Sequence, residues 1–247
     1  MPALHPENAL RIWEETRLAH PIRRALALLD AAWPEIGTEA WAGAPIGRRD
    51  ACLIHLCDAL FGRKFDTTAA CPRCGERVEA TFATADTGIG PLDLPGGIEA
   101  YQLREGGYDL EYRLPDSDDL LSVAEAAREG VPAPLALAER CLHWAMHLDR
   151  SVRPADLPET VVARLAEAMA EHDPAAELRV GLACPACEHA WSVVFDIVAY
   201  ISAELDDWAQ FLLADIHALA LAYGWSEREI LALSPARRQL YIEMVRG

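Results

Sequence analysis

Four of the chain's seven cysteines occur as two CxxC pairs, Cys71-Pro-Arg-Cys74 and Cys184-Pro-Ala-Cys187. Each pair brings two sulfurs close together, and a set of four thiolates is the tetrahedral ligand set that suits zinc. A closed site of this kind has no open position for a substrate, so it serves folding and not catalysis. The sequence therefore predicts one structural zinc ion per chain, bound by Cys71, Cys74, Cys184 and Cys187.

The segment between the two pairs, residues 75–183, is unusually long for a shared zinc site. It has 109 residues, whereas 15–20 are usual between two such pairs. Proline follows the first cysteine of each pair, and alternating apolar residues follow the second. We expect the strands that leave the two CxxC turns to pair with each other as a zinc-ribbon-like core, with the intervening segment inserted into it.

Other interpretations of the cysteine pairs remain open. A redox CxxC motif usually opens a helix of a thioredoxin-like unit, whereas both pairs here precede predicted strands. The four cysteines could also be metal-free, and His189 could replace one of the four sulfur ligands.

The remaining histidines and cysteines have simpler interpretations. His143 and His147 lie four residues apart in a predicted helix, next to Cys141. That spacing can bind a metal, but no third ligand stands at a matching offset, so a metal-dependent hydrolase built on them is the weakest alternative. Cys52, Cys57 and Cys141 lie among apolar positions, where a free cysteine is usually a small core residue.

Two acidic clusters are interpreted as helix starts, because negative charge is stabilised at the N-terminus of a helix. The clusters are Asp116, Asp118 and Asp119, and Glu204, Asp206 and Asp207. The sequence also contains no nucleophile elbow, phosphate-binding loop, dinucleotide fingerprint or HExxH motif. We therefore expect a protein that is not an enzyme and has no small-molecule substrate.

The formal net charge of the 247 residues is −17. A polyanion is repelled by phosphate backbones and by anionic membrane surfaces, which argues against binding to nucleic acids or membranes. The N-terminus shows no signal peptide, and no apolar run reaches the roughly 18 residues that span a bilayer. The charge favours a soluble protein that contacts other proteins.

Hydrophobic periodicity predicts the elements that must position the cysteines. Helices are expected over residues 7–32 with a break at Pro21, from Arg49 to Gly62, near residue 120, over 134–149 and over 158–171. A loop is expected over Trp33–Gly47, a linker over 84–97, and a hairpin over 101–114.

The expected fold class is α+β, with a zinc-ribbon-like small β core, inserted helices and a C-terminal helical segment. Residues 1–66 form the expected N-terminal helical region. Residues 67–83 and 178–201 form the two halves of the core, 84–177 the inserted hairpin and helices, and 202–247 the C-terminal helical interaction segment.

The C-terminal segment is rich in the residue types found at protein interfaces. It is expected to contain two or three capped helices, with an end at Gly224 and new starts at Ser226 and Ser234. Aromatic and arginine side chains dominate interface hot spots, and a role in a terminal core is the alternative. The candidate partner-binding residues are Trp208, Tyr223, Trp225, Arg237, Arg238 and Tyr241.

The same segment resembles a known family. The likeness is carried by Leu221-Ala-Tyr-Gly-Trp-Ser-Glu-Arg-Glu-Ile-Leu231 and by Leu233-Ser-Pro-Ala-Arg-Arg238 with Tyr241. These residues are similar to baseplate hub and hub-assembly-chaperone proteins of T-even-type tailed phages, which also occur in extracellular contractile injection clusters of bacteria. Residues 47–50, residues 114–121 and the second cysteine pair with Trp191 look similar to members of such clusters.

The resemblance implies a non-catalytic tail or baseplate component, or an assembly chaperone, of a phage-like contractile particle. The implied partners are other tail or baseplate proteins, and the implied location is the cytoplasm or the virion or particle itself. No catalytic residue is carried over, and the zinc prediction rests on the cysteine spacing alone. The main alternative is a zinc-ribbon regulatory adaptor that binds the transcription machinery, which the negative charge does not exclude.

Overall fold

The computed structural model describes residues 4–62, 64–97 and 99–246. The first of these ranges is helical, with α1 (Pro6–Thr16), α2 (Pro21–Ala32), α3 (Thr38–Ala42) and α4 (Ile46–Phe61). Proline occupies the first helical position of α1 and of α2, where its missing N–H is not needed. The expected break at Pro21 and the expected helix end at Gly62 are confirmed.

The loop expected over Trp33–Gly47 is wrong in part, because this stretch contains α3. The short helix places Trp41 in the core, where its side chain is fully buried and its ring centroid lies 5.6 Å from that of Trp33. Burial of a large aromatic side chain stabilises a helix that the surrounding prolines and glycines conceal in the sequence.

A first hairpin follows α4. Its strands, β1 (Lys64–Ala70) and β2 (Arg77–Ala83), pair antiparallel, with Phe65 opposite Phe82 and both side chains buried. The strand expected after the first cysteine pair is therefore confirmed. The strand before it was not foreseen, and its first residues belong to the region expected to be helical, residues 1–66.

The segment between the two cysteine pairs forms a four-stranded antiparallel sheet packed with helices. In chain order its elements are β3 (Tyr101–Glu105), β4 (Tyr108–Tyr112), α5 (Ser117–Arg128), α6 (Ala133–Cys141), β5 (Leu142–His147), β6 (Arg150–Ser151) and α7 (Glu159–His172). The strand order is β3-β4-β5-β6. The hairpin over 101–114 and the helices near residue 120 and over 158–171 are confirmed.

The helix expected over residues 134–149 is wrong beyond Cys141. The next residues form β5, which pairs with β4 so that Ala145 lies opposite Leu110. The carbonyl oxygen of Cys141 accepts a hydrogen bond from the N–H of Arg113 at 3.0 Å. Pairing with a strand distant in sequence thus overrides the helical periodicity of this stretch.

The second hairpin, β7 (Arg179–Ala183) and β8 (Ala190–Val194), leads into three C-terminal helices, α8 (Ile197–Tyr223), α9 (Glu227–Leu231) and α10 (Pro235–Arg246). The expectation that the strands leaving the two cysteine turns pair with each other is wrong, because β2 pairs with β1 and β8 pairs with β7. The fold class is α+β, with small antiparallel sheets, a cluster of four cysteines and C-terminal helices, as expected.

The longest helix, α8, begins at Ile197 and not at the expected Ser202. Asp196 caps it, and its carboxylate accepts a hydrogen bond from the N–H of Ala199 at 2.9 Å. The boundary expected between residues 201 and 202 therefore falls inside one helix. The first half of α8 contributes to the largest core, in which Ile201 is fully buried.

The second half of α8 forms a separate small core with α9 and α10. We call residues 208–246 the C-terminal helical unit. The fully or almost fully buried members of its core are Leu212, Ile216, Leu219, Ile230 and Ile242. The unit is therefore stabilised by apolar side chains of its own.

Candidate metal centre

The two CxxC turns have the same backbone structure. In the first, the N–H of Cys71 donates to the carbonyl oxygen of Glu76 at 2.8 Å, and the N–H of Gly75 donates to that of Cys71 at 2.9 Å. In the second, the same bonds join Cys184 to His189 and Glu188 to Cys184, both at 2.9 Å. Each turn holds both cysteines on the same side of its hairpin.

The residue after the second cysteine of each turn lies in the left-handed region of backbone conformations. Gly75 has φ +77° there, which glycine adopts without steric cost. Glu188 occupies the equivalent position with φ +57°, although a residue with a Cβ rarely adopts it. The same turn is therefore formed at a steric cost in the second hairpin.

The four cysteine sulfurs form one compact group, all within 4.8 Å of one another. Cys71 Sγ lies 3.7 Å from Cys187 Sγ, and Cys74 Sγ lies 3.5 Å from Cys184 Sγ. A tetrahedron of sulfurs around zinc, with metal–sulfur distances near 2.3 Å, has edges of about 3.8 Å. The four sulfurs thus fit a metal ion at their centre, and each close pair joins the two hairpins.

Burial and hydrogen bonds from backbone N–H groups determine the thiol pKa values within this group. Cys71 and Cys184 are each 2 % exposed, and Val78 and Trp191 pack beside them, whereas Cys74 is exposed. Desolvation acts to raise the pKa of the Cys71 thiol. The N–H groups of Arg73 and Cys74 donate to its sulfur, and the pKa settles at about 7, below the ordinary 9.0.

The pKa of the neighbouring Cys187 thiol shifts in the opposite direction. The N–H of His189 acts to lower the pKa of the Cys187 thiol, but desolvation and hydrogen bonds with the other three thiols raise it to about 12. Four sulfurs this close do not all lose their protons unless a cation compensates their charge. A metal ion supplies that compensation when bound.

The histidines considered as ligands lie elsewhere. His189 is not part of the sulfur group, and its ring stacks on Trp191 with 6.1 Å between centroids. His143 and His147 lie on strand β5 and not on a helix, because the helix ends at Cys141. In the described ranges, the four cysteines are the one group of three or more acidic, histidine or cysteine side chains arranged to hold a metal ion.

The three remaining cysteines are core residues, as expected. Cys52, Cys57 and Cys141 are at most 1 % exposed. Burial raises the pKa of each thiol to about 12, so all three stay protonated near neutral pH.

The first acidic cluster is a helix cap, as expected. Asp116 accepts a hydrogen bond from the N–H of Asp119 at 2.9 Å, and Asp119 accepts one from the N–H of Asp116 at 3.0 Å. Asp119 also has a second role, which no sequence pattern indicates. Its side chain is fully buried, and its carboxylate accepts hydrogen bonds from Arg113 and, at 2.7 Å, from Arg140.

The second acidic cluster is not a helix start. Glu204, Asp206 and Asp207 lie well inside α8, which begins at Ile197. Asp206 connects three helices, because its Oδ1 accepts hydrogen bonds from Trp13 Nε1 at 2.8 Å and from Arg24 Nη1 at 2.9 Å. Nothing in the local sequence indicates partners so far away.

Four of the six candidate partner-binding residues form one cluster in the C-terminal helical unit, and two of them, Trp225 and Tyr241, are partly buried against its core. Tyr223 stacks on Trp225 with 4.7 Å between ring centroids, and Trp225 meets Tyr241 edge-on at 4.9 Å. The guanidinium of exposed Arg237 lies 5.7 Å from the Tyr241 ring centre and donates to its hydroxyl at 3.3 Å. We call Tyr223, Trp225, Arg237 and Tyr241 the aromatic cluster.

The other two candidates lie apart from the aromatic cluster. Trp208 is half-buried and packs against both the largest core and the C-terminal core. Arg238 is only 7 % exposed, and its Nε lies 3.9 Å from Asp215 Oδ2. Arg238 therefore belongs to the interior, and of the two arginines proposed as partner-binding residues only Arg237 is exposed.

Among the residues that the structure describes, no helix combines the length and apolar composition of a transmembrane span. Comparison with protein-family models, characterised proteins and solved structures finds no match for this chain.

Proposed function

We propose that Cys71, Cys74, Cys184 and Cys187 hold one zinc ion per chain and that its role is structural. The single observation that supports this is the group of four sulfurs within 4.8 Å, contributed by two hairpins far apart in the sequence. Four thiolates complete a tetrahedral zinc site and leave no position for a substrate. The bound ion would join the hairpins that enclose the inserted sheet and helices.

The proposal is tested by elemental analysis of the purified protein. A zinc content near one per chain is expected. The Cys74→Ser/Cys187→Ser double variant should contain little or none, and Cys57→Ser, whose thiol lies in the core, serves as the control. A wild-type protein that is fully folded without metal would contradict the proposal.

We further propose that the chain is a non-catalytic tail or baseplate component, or an assembly chaperone, of a phage-like contractile particle. The resemblance of residues 221–241 to the baseplate family supports it. A second support is the distribution of exposed apolar side chains. Within the ranges that the structure describes, seven of the twelve large ones lie in the C-terminal helical unit: Phe211, Leu213, Leu221, Tyr223, Leu240, Met244 and Val245. Such surfaces mark sites of protein interaction.

Within this proposal the aromatic cluster contacts another tail or baseplate protein. Clustered tyrosine, tryptophan and arginine side chains are the composition of interface hot spots. Particle assembly in a host that lacks the native gene tests it, with variants supplied from a plasmid. Arg237→Glu combined with Tyr223→Ala should abolish assembly, whereas the control Arg153→Glu, on the exposed surface far along the chain, should not. Normal particle assembly with the double variant would contradict the proposal that the aromatic cluster binds a partner.

One observation favours the rival, a regulatory adaptor of the transcription machinery. Two hairpins that place four cysteines around one point are the arrangement of a zinc ribbon. The net charge of −17 opposes direct DNA binding, because each phosphate contact requires a cation. Sub-micromolar binding to duplex DNA or to RNA polymerase at physiological salt would favour the adaptor, and copurification with sheath or tube proteins would favour the baseplate role.

A further inference from the structure

One side of α8 in the C-terminal helical unit carries large apolar side chains that are open to solvent. Phe211 is 73 % exposed and Leu221 is 75 % exposed. Ala214 and Ala218 lie between them at spacings of three, four and three residues, which places all four on one side of the helix. The buried residues Leu212, Ile216 and Leu219 occupy the opposite side, and Ala218 is half-buried because it also touches the edge of their core. We call Phe211, Ala214, Ala218 and Leu221 the outer row.

We propose that the outer row is a self-association surface, on which α8 of a second copy packs antiparallel. The spacing of the row is that of the core positions of a two-helix coiled coil. An apolar row of this kind on a helix that already buries its other side is normally covered. The proposal concerns a surface other than the aromatic cluster and does not depend on the baseplate role.

The order of side-chain sizes identifies a second copy as the occupant. Read along the chain, the outer row is large, small, small, large, and it reads the same in the reverse direction. In an antiparallel pair, Phe211 of each copy lies opposite Leu221 of the other, and Ala214 lies opposite Ala218. A two-fold axis requires such self-complementarity, in which residue i meets j and j meets i. The alanines at the centre allow close approach of the two helices.

The distribution of charge along the chain also favours a second copy as the partner that covers the outer row. Residues 207–247 are nearly neutral, with five acidic and four basic side chains: Asp207, Asp215, Glu227, Glu229, Glu243, Arg228, Arg237, Arg238 and Arg246. Almost all of the net charge of −17 therefore lies in the preceding residues. We call residues 1–206 of each copy its acidic body. Antiparallel pairing of the two α8 helices places the two acidic bodies at opposite ends of the helix pair, where they repel each other least. A basic partner would instead be drawn to the acidic body.

The outer row is short, so the dimer is expected to be weak. Two large side chains and two alanines on each copy bury less than the roughly 1,200 Å² of a standard interface. Sedimentation velocity over a range of concentrations measures the association. The average mass should rise from 27.1 kDa towards twice that value as concentration increases. It should also rise with added salt, because salt screens the repulsion between the two bodies.

Paired variants assign the surface. Leu221→Glu and Phe211→Glu should each weaken dimerisation at least tenfold, whereas Leu18→Glu should not, since Leu18 is 96 % exposed between α1 and α2. Thermal melts monitored by circular dichroism should show all three variants folded. A wild-type protein that stays monomeric up to several hundred micromolar would overturn the proposal, as would equal losses in Leu18→Glu and Leu221→Glu.

A cross-linking experiment tests the direction of pairing. A mixture of Ala214→Cys protein and Ala218→Cys protein should form an intermolecular disulfide between positions 214 and 218, identified by mass spectrometry of the joined peptides. Each variant alone should cross-link less. Stronger cross-linking of either variant with itself would contradict the antiparallel arrangement.

Discussion

Cys74 Sγ and Cys184 Sγ lie 3.5 Å apart, although the two residues are 110 positions apart in the chain. Each belongs to a hairpin with its own hydrogen bonds, and the first hairpin also packs Phe82 edge-on against Phe195 at the end of the second, with 4.9 Å between ring centroids. A metal ion shared by the four sulfurs would add a second link between the hairpins. Closing so long a loop reduces the freedom of the unfolded chain. The stability of the metal centre and the stability of the fold should therefore be coupled.

Cys71→Ser should lower the free energy of unfolding far more than Cys52→Ser. In small zinc peptides the metal contributes on the order of 10 kcal/mol to folding, and a chain with separate apolar cores should lose less. For a chain of this size a loss of about 4 kcal/mol lowers the melting temperature by roughly 10 °C. Cys52→Ser should cost less because the Cys52 thiol donates a hydrogen bond to the carbonyl oxygen of Asp93 at 3.4 Å, and a serine hydroxyl can also make this bond.

Calorimetry of the two variants, with and without a chelator, checks this expectation. The chelator should lower the melting temperature of wild type and of Cys52→Ser, and it should leave Cys71→Ser unchanged because that variant has already lost the metal. Equal melting temperatures for the two variants would contradict a folding role for the site.

Glu188→Gly should stabilise the second hairpin. Glu188 adopts φ +57°, and a glycine there removes the contact between Cβ and the backbone, as Gly75 does in the first hairpin. The expected gain is about 1 kcal/mol or less, measured by urea unfolding of the metal-loaded protein. The reverse change, Gly75→Glu, should cost a similar amount. A loss of stability in Glu188→Gly would show that the carboxylate has a role of its own.

Asp119→Asn should destabilise the protein by about 3 kcal/mol, because it leaves Arg113 and Arg140 without their buried partner. Burial acts to raise the pKa of Asp119, but hydrogen bonds from Arg113, from the N–H of Asp116 and from Arg140 hold it at about 2. The unfolded value is near 3.9. The stabilisation is therefore complete above about pH 5 and is lost as the pH falls towards 2.

Urea unfolding of wild type and Asp119→Asn at pH 7 and pH 3 measures this effect. The difference between the two proteins should shrink at the lower pH. Asp118→Asn is the control, since this exposed neighbour in the same helical turn should change stability by less than about 0.5 kcal/mol at either pH. A difference independent of pH would mean that the charge of Asp119 is not what stabilises the fold.

Arg237→Glu and Arg238→Glu should differ sharply, although the residues are adjacent. Arg237 is exposed, and its reversal should change stability by under about 0.5 kcal/mol. Arg238 is buried beside Asp215, so a glutamate there places two carboxylates together and should cost about 3 kcal/mol or more. Chemical unfolding of the two single variants measures the free energy of unfolding of each and tests this difference. Similar values would show that Arg238 is more accessible than its position indicates.

The features that the sequence predicted well are those determined by neighbouring residues. The grouping of the four cysteines is signalled by the two CxxC pairs, and the cap at Asp116 follows from the acidic start of α5. The hairpin at residues 101–114 is likewise signalled by Gly106 and Gly107, which take the left-handed conformations of a two-residue turn.

The features that it missed depend on partners far away in the chain. Residues 142–147 have helical periodicity, but they become a strand because β4 offers an edge for pairing. Asp119 is a helix cap in the sequence and an ion-pair centre in the fold, because Arg140 arrives from another helix. Arg238 shows the same limit, since a pair of arginines indicates an exposed surface until α8 covers one of them.

Deleting residues 226–247 should expose the C-terminal core without releasing the metal. The deletion removes Ile230 and Ile242, which are fully buried against Leu212, Ile216 and Leu219 of α8. Because uncovered apolar side chains promote association, the truncated protein should bind a hydrophobic dye and self-associate. The largest core has Leu205 as its last buried residue in the described ranges, so the truncated protein should still unfold cooperatively near the wild-type temperature and keep one zinc per chain.

A truncated protein that loses zinc, or that melts without a transition, would show that the C-terminal helical unit supports the whole fold. Replacing Leu212, Ile216 and Leu219 by glutamine in the truncated chain should restore solubility if the exposed side of α8 is the cause.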